Sequence, residues 1–194
     1  LPDMPPELGI ATAPGHGICE VISYSATHDA SFATIGVERI GLLIEALGAE
    51  AVDLLAVDGI QYVLPFENRG REIGVTIDHP HGQIYALSHI PVEIERQANA
   101  FRHGNPLMDS MAGMAEQLVI SRNDHGVAFV PEWARYPFEI CVAPFERFAH
   151  PAEMTDAEIA GFAGLLDEAA KKLDAVFEMP MPLTMGWHVA PLGY

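Results

Sequence analysis

Apolar residues recur at helical spacing along residues 37–57, at Ile40, Leu43, Ile44 and Leu47 and, past a glycine, at Leu54 and Leu55. That period predicts an amphipathic helix with one buried stripe. It returns after Thr155-Asp156-Ala157-Glu158, where Ile159, Phe162, Leu166, Ala169, Leu173, Val176 and Phe177 share one face. The Thr and Glu of that tetrapeptide form a capping-box pattern, so a helix starts there and packs on a sheet. Shorter helices are predicted at 91–103, opened by Pro91, and at 107–116. Short apolar or alternating runs predict strands at 19–24, 60–66, 118–121, 127–130 and 138–143, and at 73–77 running on into a histidine-bearing strand. The polar tetrapeptide at 26–29 reads as a turn, and Asn68-Arg69-Gly70 is expected to reverse the chain between 60–66 and 73–77. Residues 1–17, rich in proline and glycine, read as an irregular lead-in. The order strand, helix, strands occurs on both sides of about residue 105. This predicts an α+β fold of two related units, 1–105 and 106–194, each an antiparallel sheet packed with helices.

Composition narrows the class. The chain has 194 residues, 49% of them hydrophobic, enough to build a real core and too apolar for disorder. No apolar run approaches the roughly 18 residues a membrane helix needs, and no leader pattern opens the sequence, so neither a membrane span nor a secretory signal is expected. The only cysteines, Cys19 and Cys141, lie far apart in no CxxC pattern, which suits reduced thiols in a cytoplasmic protein. Ten basic against 27 acidic residues give a formal charge of −17. General nucleic-acid binding is therefore excluded, because it needs basic patches to displace counterions. A phosphate-bearing ligand would need a locally positive site, for which Arg69 and Arg71 are the best-placed cations.

The candidate chemistry lies in His79-Pro80-His81-Gly82-Gln83. Side chains alternate along a strand, so His79, His81 and Gln83 project to one side, with Pro80 and Gly82 leaving room between them. Two imidazoles and an amide on one face suit attack on phosphorus: one histidine as nucleophile, its neighbour holding a metal or orienting it, and the amide donating to a phosphate oxygen. The glycines at 70 and 74 have neither GxGxxG spacing nor a GK[ST] ending, so no dinucleotide or P-loop site is expected, and no organic cofactor.

The stretch from Phe66 to Leu87, FENRGREIGVTIDHPHGQIYAL, resembles the signature of galactose-1-phosphate uridylyltransferases, a branch of the histidine-triad superfamily. Residues 19–32, 130–144 and 185–191 resemble further landmarks of that family, in its order. The resemblance implies a histidine-triad-like fold and a two-step exchange of UMP between UDP-glucose and galactose 1-phosphate in galactose metabolism. His81 would carry the nucleotidyl group. Gln83 would bond the phosphate and, being unable to act as an acid, would favour transfer over hydrolysis. Asn68, Gly74, Val75 and Thr76 match positions that hold the nucleotide's phosphates. A phosphorylase or nucleotidylyltransferase acting on another sugar nucleotide or dinucleotide, and a non-catalytic partial subunit, are the alternative readings.

The same resemblance places His28 and His79 where many members bind structural zinc, whose other ligands, a cysteine pair, would precede Leu1. His188 matches a ligand of a second metal site, but Gln97 stands where that site has a carboxylate. His16, His89, His103, His125 and His150 have no partners at ligand spacing and read as surface residues. The aromatic cluster from Trp133 to Phe138 reads as core between the units. The histidine sheet is expected to expose an edge, and the chain to form a homo-oligomer or pair with a complementing chain.

Overall fold

The computed structural model describes residues 15–111 and 113–194. The lead-in expected at 1–17 therefore lies almost wholly outside the described residues. Strand β1 (Gly17–Ser23) is followed by a one-turn helix α1 (Phe32–Ile35) and the long helix α2 (Val37–Leu55). Strands β2 (Tyr62–Arg69) and β3 (His81–Leu87) come next, then helices α3 (Val92–Phe101) and α4 (Pro106–Met111). Strands β4 (Val119–Arg122), β5 (Gly126–Phe129) and β6 (Cys141–Pro144) precede helix α5 (Asp156–Val176) and strand β7 (Leu183–Gly186).

The strands form two antiparallel sheets, one ordered β1-β3-β2-β7 and the other β4-β5-β6. This is the predicted α+β class. The histidine-bearing strand β3 lies inside its sheet, paired with β1 from Gly17↔Leu87 to Ser23↔His81 and with β2 from Tyr62↔Leu87 to Phe66↔Gln83. The fourth strand, β7, comes from the carboxy-terminal half and pairs with β2 from Phe66↔Gly186 to Arg69↔Leu183. Helices cover one face. Ile40, Leu43, Ile44 and Leu47 of α2 pack with Val63, Ile84 and Ala86 of the sheet and with Ile159, Ala163 and Leu166 of α5. Gly48 allows α2 to approach the chain at Pro151–Ala152, where a Cβ would stand 2.6 Å from the Ala152 nitrogen. The capping box of α5 forms as predicted, with Thr155 N–H donating to Glu158 Oε2 at 2.8 Å. A smaller cluster of Val127, Phe129 and Ala143 is closed by Leu107, Met108 and Met111. Among the described residues, no helix is long and apolar enough to cross a membrane.

Several expectations change. Asn68-Arg69 is not a turn: β2 continues through both, because β7 supplies a ladder partner for each. The reversal falls at Gly70, whose φ of +111° suits glycine. Residues 73–77 do not form a strand. A 3₁₀ turn at Arg71–Ile73 ends in left-handed Gly74, and an irregular segment leads from there to β3. The strand expected at 138–143 is cut to Cys141–Pro144. Upstream, Phe138 takes a positive φ, and Glu139 Oε2 accepts from the N–H groups of Arg135 and Tyr136, so side-chain bonds replace a ladder. Trp133, Tyr136 and Phe138 are exposed rather than buried between units.

Candidate active site

The register of the four-stranded sheet sorts its side chains into two faces. Gly82, Ile84 and Ala86 of β3 point to the helices, together with Val63, Pro65 and Glu67 of β2. His81, Gln83 and Tyr85 therefore project from the uncovered face. Ser23 and Val21 of β1 stand beside them, and Phe66 and Asn68 belong to the same face through Phe66↔Gln83 and Asn68↔Thr184. Ser23, Val21, Ile77, His79, His81 and Gln83 line an open depression of about 410 Å³ on this face. The expected gathering of His79, His81 and Gln83 on one side is thus present. β3 begins at His81, and His79 enters from the preceding loop.

Contacts within the depression define what each ring can do. His81 Nδ1 lies 2.8 Å from the His79 carbonyl oxygen. A carbonyl only accepts, so Nδ1 carries the hydrogen and Nε2 of the neutral ring holds the free lone pair. His79 is bound through both ring nitrogens. Its Nε2 lies 3.0 Å from Ser23 Oγ and its Nδ1 lies 3.3 Å from His28 Nδ1. Tyr85 O–H donates to Gln83 Oε1 at 3.4 Å, which leaves the amide N–H₂ available. The Phe66 ring meets Tyr85 edge-on with centroids 4.9 Å apart.

The phosphate-holding candidates are less tightly gathered. Asn68 shares the open face, while Gly74, Val75 and Thr76 lie in the loop before β3, where Val75 N–H bonds the Gly70 carbonyl. That loop contributes Ile77 to the depression. Arg69 is not a free cation. Its Nη2 bonds Asp174 Oδ1 at 2.5 Å and the Met181 carbonyl at 2.6 Å, and its Nε bonds the same carbonyl. It joins β2 to the end of α5. Arg71 is exposed and pairs with Asp78 at 2.9 Å across the loop, and this partner draws the Asp78 carboxyl below its ordinary pKa. Of the two cations expected for a phosphate, only Arg71 is placed to release its partner to solvent.

Zinc ligands bonded at 2.0–2.1 Å in tetrahedral geometry stand about 3.3–3.4 Å apart, which the His28–His79 nitrogen separation matches. No cluster of three or more His, Cys, Asp or Glu side chains suited to a metal exists among the described residues. His28 and His79 are thus a pair of imidazoles at a separation that would suit two of the four ligands structural zinc takes. Among the histidines expected at the surface, His16, His89 and His103 are exposed, whereas His125 and His150 are half-buried. Cys19 and Cys141 are both free thiols.

Sequence reasoning passed over Glu67. It is 5% exposed on the helix-facing side of β2 and accepts a 2.7 Å hydrogen bond from the Tyr24 hydroxyl. Burial pushes its pKa up to about 7, against the opposing pull of that bond and of the charges on Arg69 and His81. The signal available in the sequence was a lone carboxylate inside a run that otherwise reads as a buried strand.

Comparison with known proteins covers the chain from end to end. Residues 8–91 match the family described as galactose-1-phosphate uridyl transferase, N-terminal domain, and residues 89–194 match its C-terminal domain. A galactose-1-phosphate uridylyltransferase of Thermotoga maritima is 31% identical over 181 residues, covering 90% of this chain and 57% of that protein. One from Streptomyces lividans is 34% identical over 191 residues, covering 91% of this chain and 53% of its own length. The chain thus spans a little over half the length of these curated relatives. A solved uridylyltransferase mutant superposes with a TM-score of 0.82 at 28% identity, over 92% of this chain and 60% of the other. A GalT-like protein from Arabidopsis thaliana, at 24% identity and a TM-score of 0.83 over all of this chain and 65% of its own, shares the fold.

Proposed function

The chain belongs to the galactose-1-phosphate uridyl transferase family, and from that premise we propose that it moves a uridylyl group between sugar phosphates through a covalent bond to His81. The observation that carries this reading is the 2.8 Å bond from His81 Nδ1 to the His79 carbonyl. It holds the ring in the tautomer whose Nε2 can attack, and His81 lines an open depression. Nε2 attacks the uridylyl phosphorus of UDP-glucose, the bond from that phosphorus to the departing phosphate oxygen breaks, and glucose 1-phosphate leaves. A phosphate oxygen of galactose 1-phosphate then attacks the same phosphorus. The P–N bond breaks and its electron pair returns to Nε2.

Gln83 supports both half-reactions by presenting amide hydrogens to the non-bridging oxygens while Tyr85 engages its carbonyl. It has no proton to give or take near neutral pH, so water at the covalent intermediate finds no general base there. Asn68 and the loop residues Gly74, Val75 and Thr76 hold the phosphates. Arg71 is the cation that can leave its carboxylate partner for an anionic ligand, which matters in a chain of charge −17. Zinc, where bound, would be held by His28 and His79 together with further ligands, and would act structurally by fixing the His79 ring. The reading extends to a cytoplasmic enzyme working as an oligomer.

The test is mass spectrometry of the chain after incubation with UDP-glucose, in parallel with ADP-glucose and a diadenosine polyphosphate. A uridylyl adduct on the peptide bearing His81, discharged by galactose 1-phosphate, is the expected result. An adenylyl adduct alone would assign a different donor, and no adduct with any donor would remove the covalent mechanism.

A further inference from the structure

Tyr24, immediately beyond β1, and Glu67, on β2, flank the nucleophile's strand from opposite sides, since β3 lies between β1 and β2. Both are buried, 6% and 5% exposed, on the helix-facing side. Their side chains meet in the 2.7 Å bond from the Tyr24 hydroxyl to Glu67 Oε1. Because Ile22 pairs with Gly82 and Phe66 pairs with Gln83, this bond crosses beneath Gly82, the residue between His81 and Gln83. Tyr24, Glu67 and Gly82 line one small void of about 10 Å³, at the lower limit for a single water. A Cβ at Gly82 would stand 3.2 Å from Ile22 Cγ2 and 3.3 Å from the Phe66 carbonyl oxygen, so a side chain there would need its neighbours to give by a few tenths of an ångström. Each end of the bond also adjoins the site. Tyr24 follows Ser23, which touches His79, and Glu67 precedes Asn68.

We propose that the Tyr24–Glu67 hydrogen bond is a positioning strap, which locks the strands flanking β3 and fixes His81 against Asn68. The proposal rests on the reading of His81 as the nucleophile. Both side chains face the core and neither lines the depression that holds His81, so they act through the strand above them. A reaction that needs in-line attack on phosphorus loses heavily when the nucleophile shifts by even 1 Å. The strap is specific in chemistry: it needs a hydroxyl donor at 24 and an oxygen acceptor at 67, and a glutamine can replace the carboxylate as acceptor.

Two variants test it, Tyr24→Phe and Glu67→Gln, each checked for folding by thermal melting. The readouts are the maximal rate of His81 labelling by UDP-glucose, the half-saturating UDP-glucose concentration, and the His81 tautomer read from imidazole ¹⁵N shifts. Tyr24→Phe is expected to lower the maximal rate about ten- to hundredfold with little change in half-saturation, and to mix the tautomers. Glu67→Gln should retain most of the rate and a single tautomer. A Tyr24→Phe variant with the parental rate and tautomer overturns the strap, and so does a Glu67→Gln variant impaired as badly as Tyr24→Phe. If the parent itself does not label, the covalent reading fails, and the tautomer comparison alone decides the strap.

Discussion

The His81 ring and the His79 backbone are joined by a single short bond, Nδ1 to carbonyl oxygen at 2.8 Å, made between residues two apart in sequence. Pro80, between them, has no N–H to offer and favours extended geometry at His79, so the carbonyl is turned to the ring by local chain stiffness. The nucleophile's tautomer is thereby set by a neighbour two residues away, as long as the strand that carries both is held in place.

His81→Asn removes the attacking nitrogen while leaving a small polar side chain in a half-exposed position. Labelling and transfer should fall below about a thousandth of the parental rate, with a melting temperature within about 2 °C of the parent. Single-turnover labelling and a thermal melt on the same sample check both halves. Transfer surviving at a few per cent would remove His81 from its role.

Gln83→His places an imidazole where the parent holds an amide. An imidazole can relay a proton from water, so the covalent intermediate should hydrolyse faster relative to transfer. The ratio of free UMP to UDP-galactose is expected to rise about tenfold or more. An unchanged ratio would show that exclusion of water, and not residue 83, protects the intermediate.

What the sequence disclosed follows from how local each feature is. The stripe of α2, that of α5 as far as Leu173, the capping box at Thr155 and the shared face of His81 and Gln83 depend on spacing within a few residues and are present, whereas Val176 and Phe177, expected on the α5 stripe, are exposed at the helix end. The Asn68-Arg69 turn failed because its backbone is claimed by β7, more than 100 residues away, which no local pattern announces. Arg69 was misread for the same reason: its partner, Asp174, lies at the far end of α5. The Tyr24–Glu67 bond joins residues 43 apart and becomes visible only once β3 is known to lie between their strands.

Arg69 and Asp174 should be strongly coupled. Their side chains are 16% and 20% exposed, and Arg69 also bonds the Met181 carbonyl twice. Removing either partner leaves the other poorly solvated, so Arg69→Ala and Asp174→Ala should each cost about 3 kcal/mol. The double variant should cost about 1–3 kcal/mol less than the two single losses combined. Denaturant unfolding of the four proteins closes the cycle, and simple additivity would show that the pair is not an energetic unit.

Glu67 makes stability depend on pH in a direction opposite to that of an ordinary surface carboxylate. Its pKa rises from 4.5 to about 7 in the folded chain, chiefly through burial. Between those values the folded state holds a proton that the unfolded state has released, so stability falls as pH rises through this window. The stabilisation is complete below about pH 4.5 and lost above about pH 7, a swing of about 3 kcal/mol. Glu158 and Glu168, held below their ordinary pKa values by Thr155 and Lys172, push the other way, so the parent's raw profile mixes both signs. Subtracting the Glu67→Gln profile isolates the one group, because the amide keeps the Tyr24 acceptor and has no proton to exchange. Urea unfolding at pH 5 and pH 8 should show the parent losing about 2.5 kcal/mol more than the variant across that interval. Parallel profiles would mean that Glu67 stays ionised in the fold, and that Tyr24 and Arg69 together offset its burial.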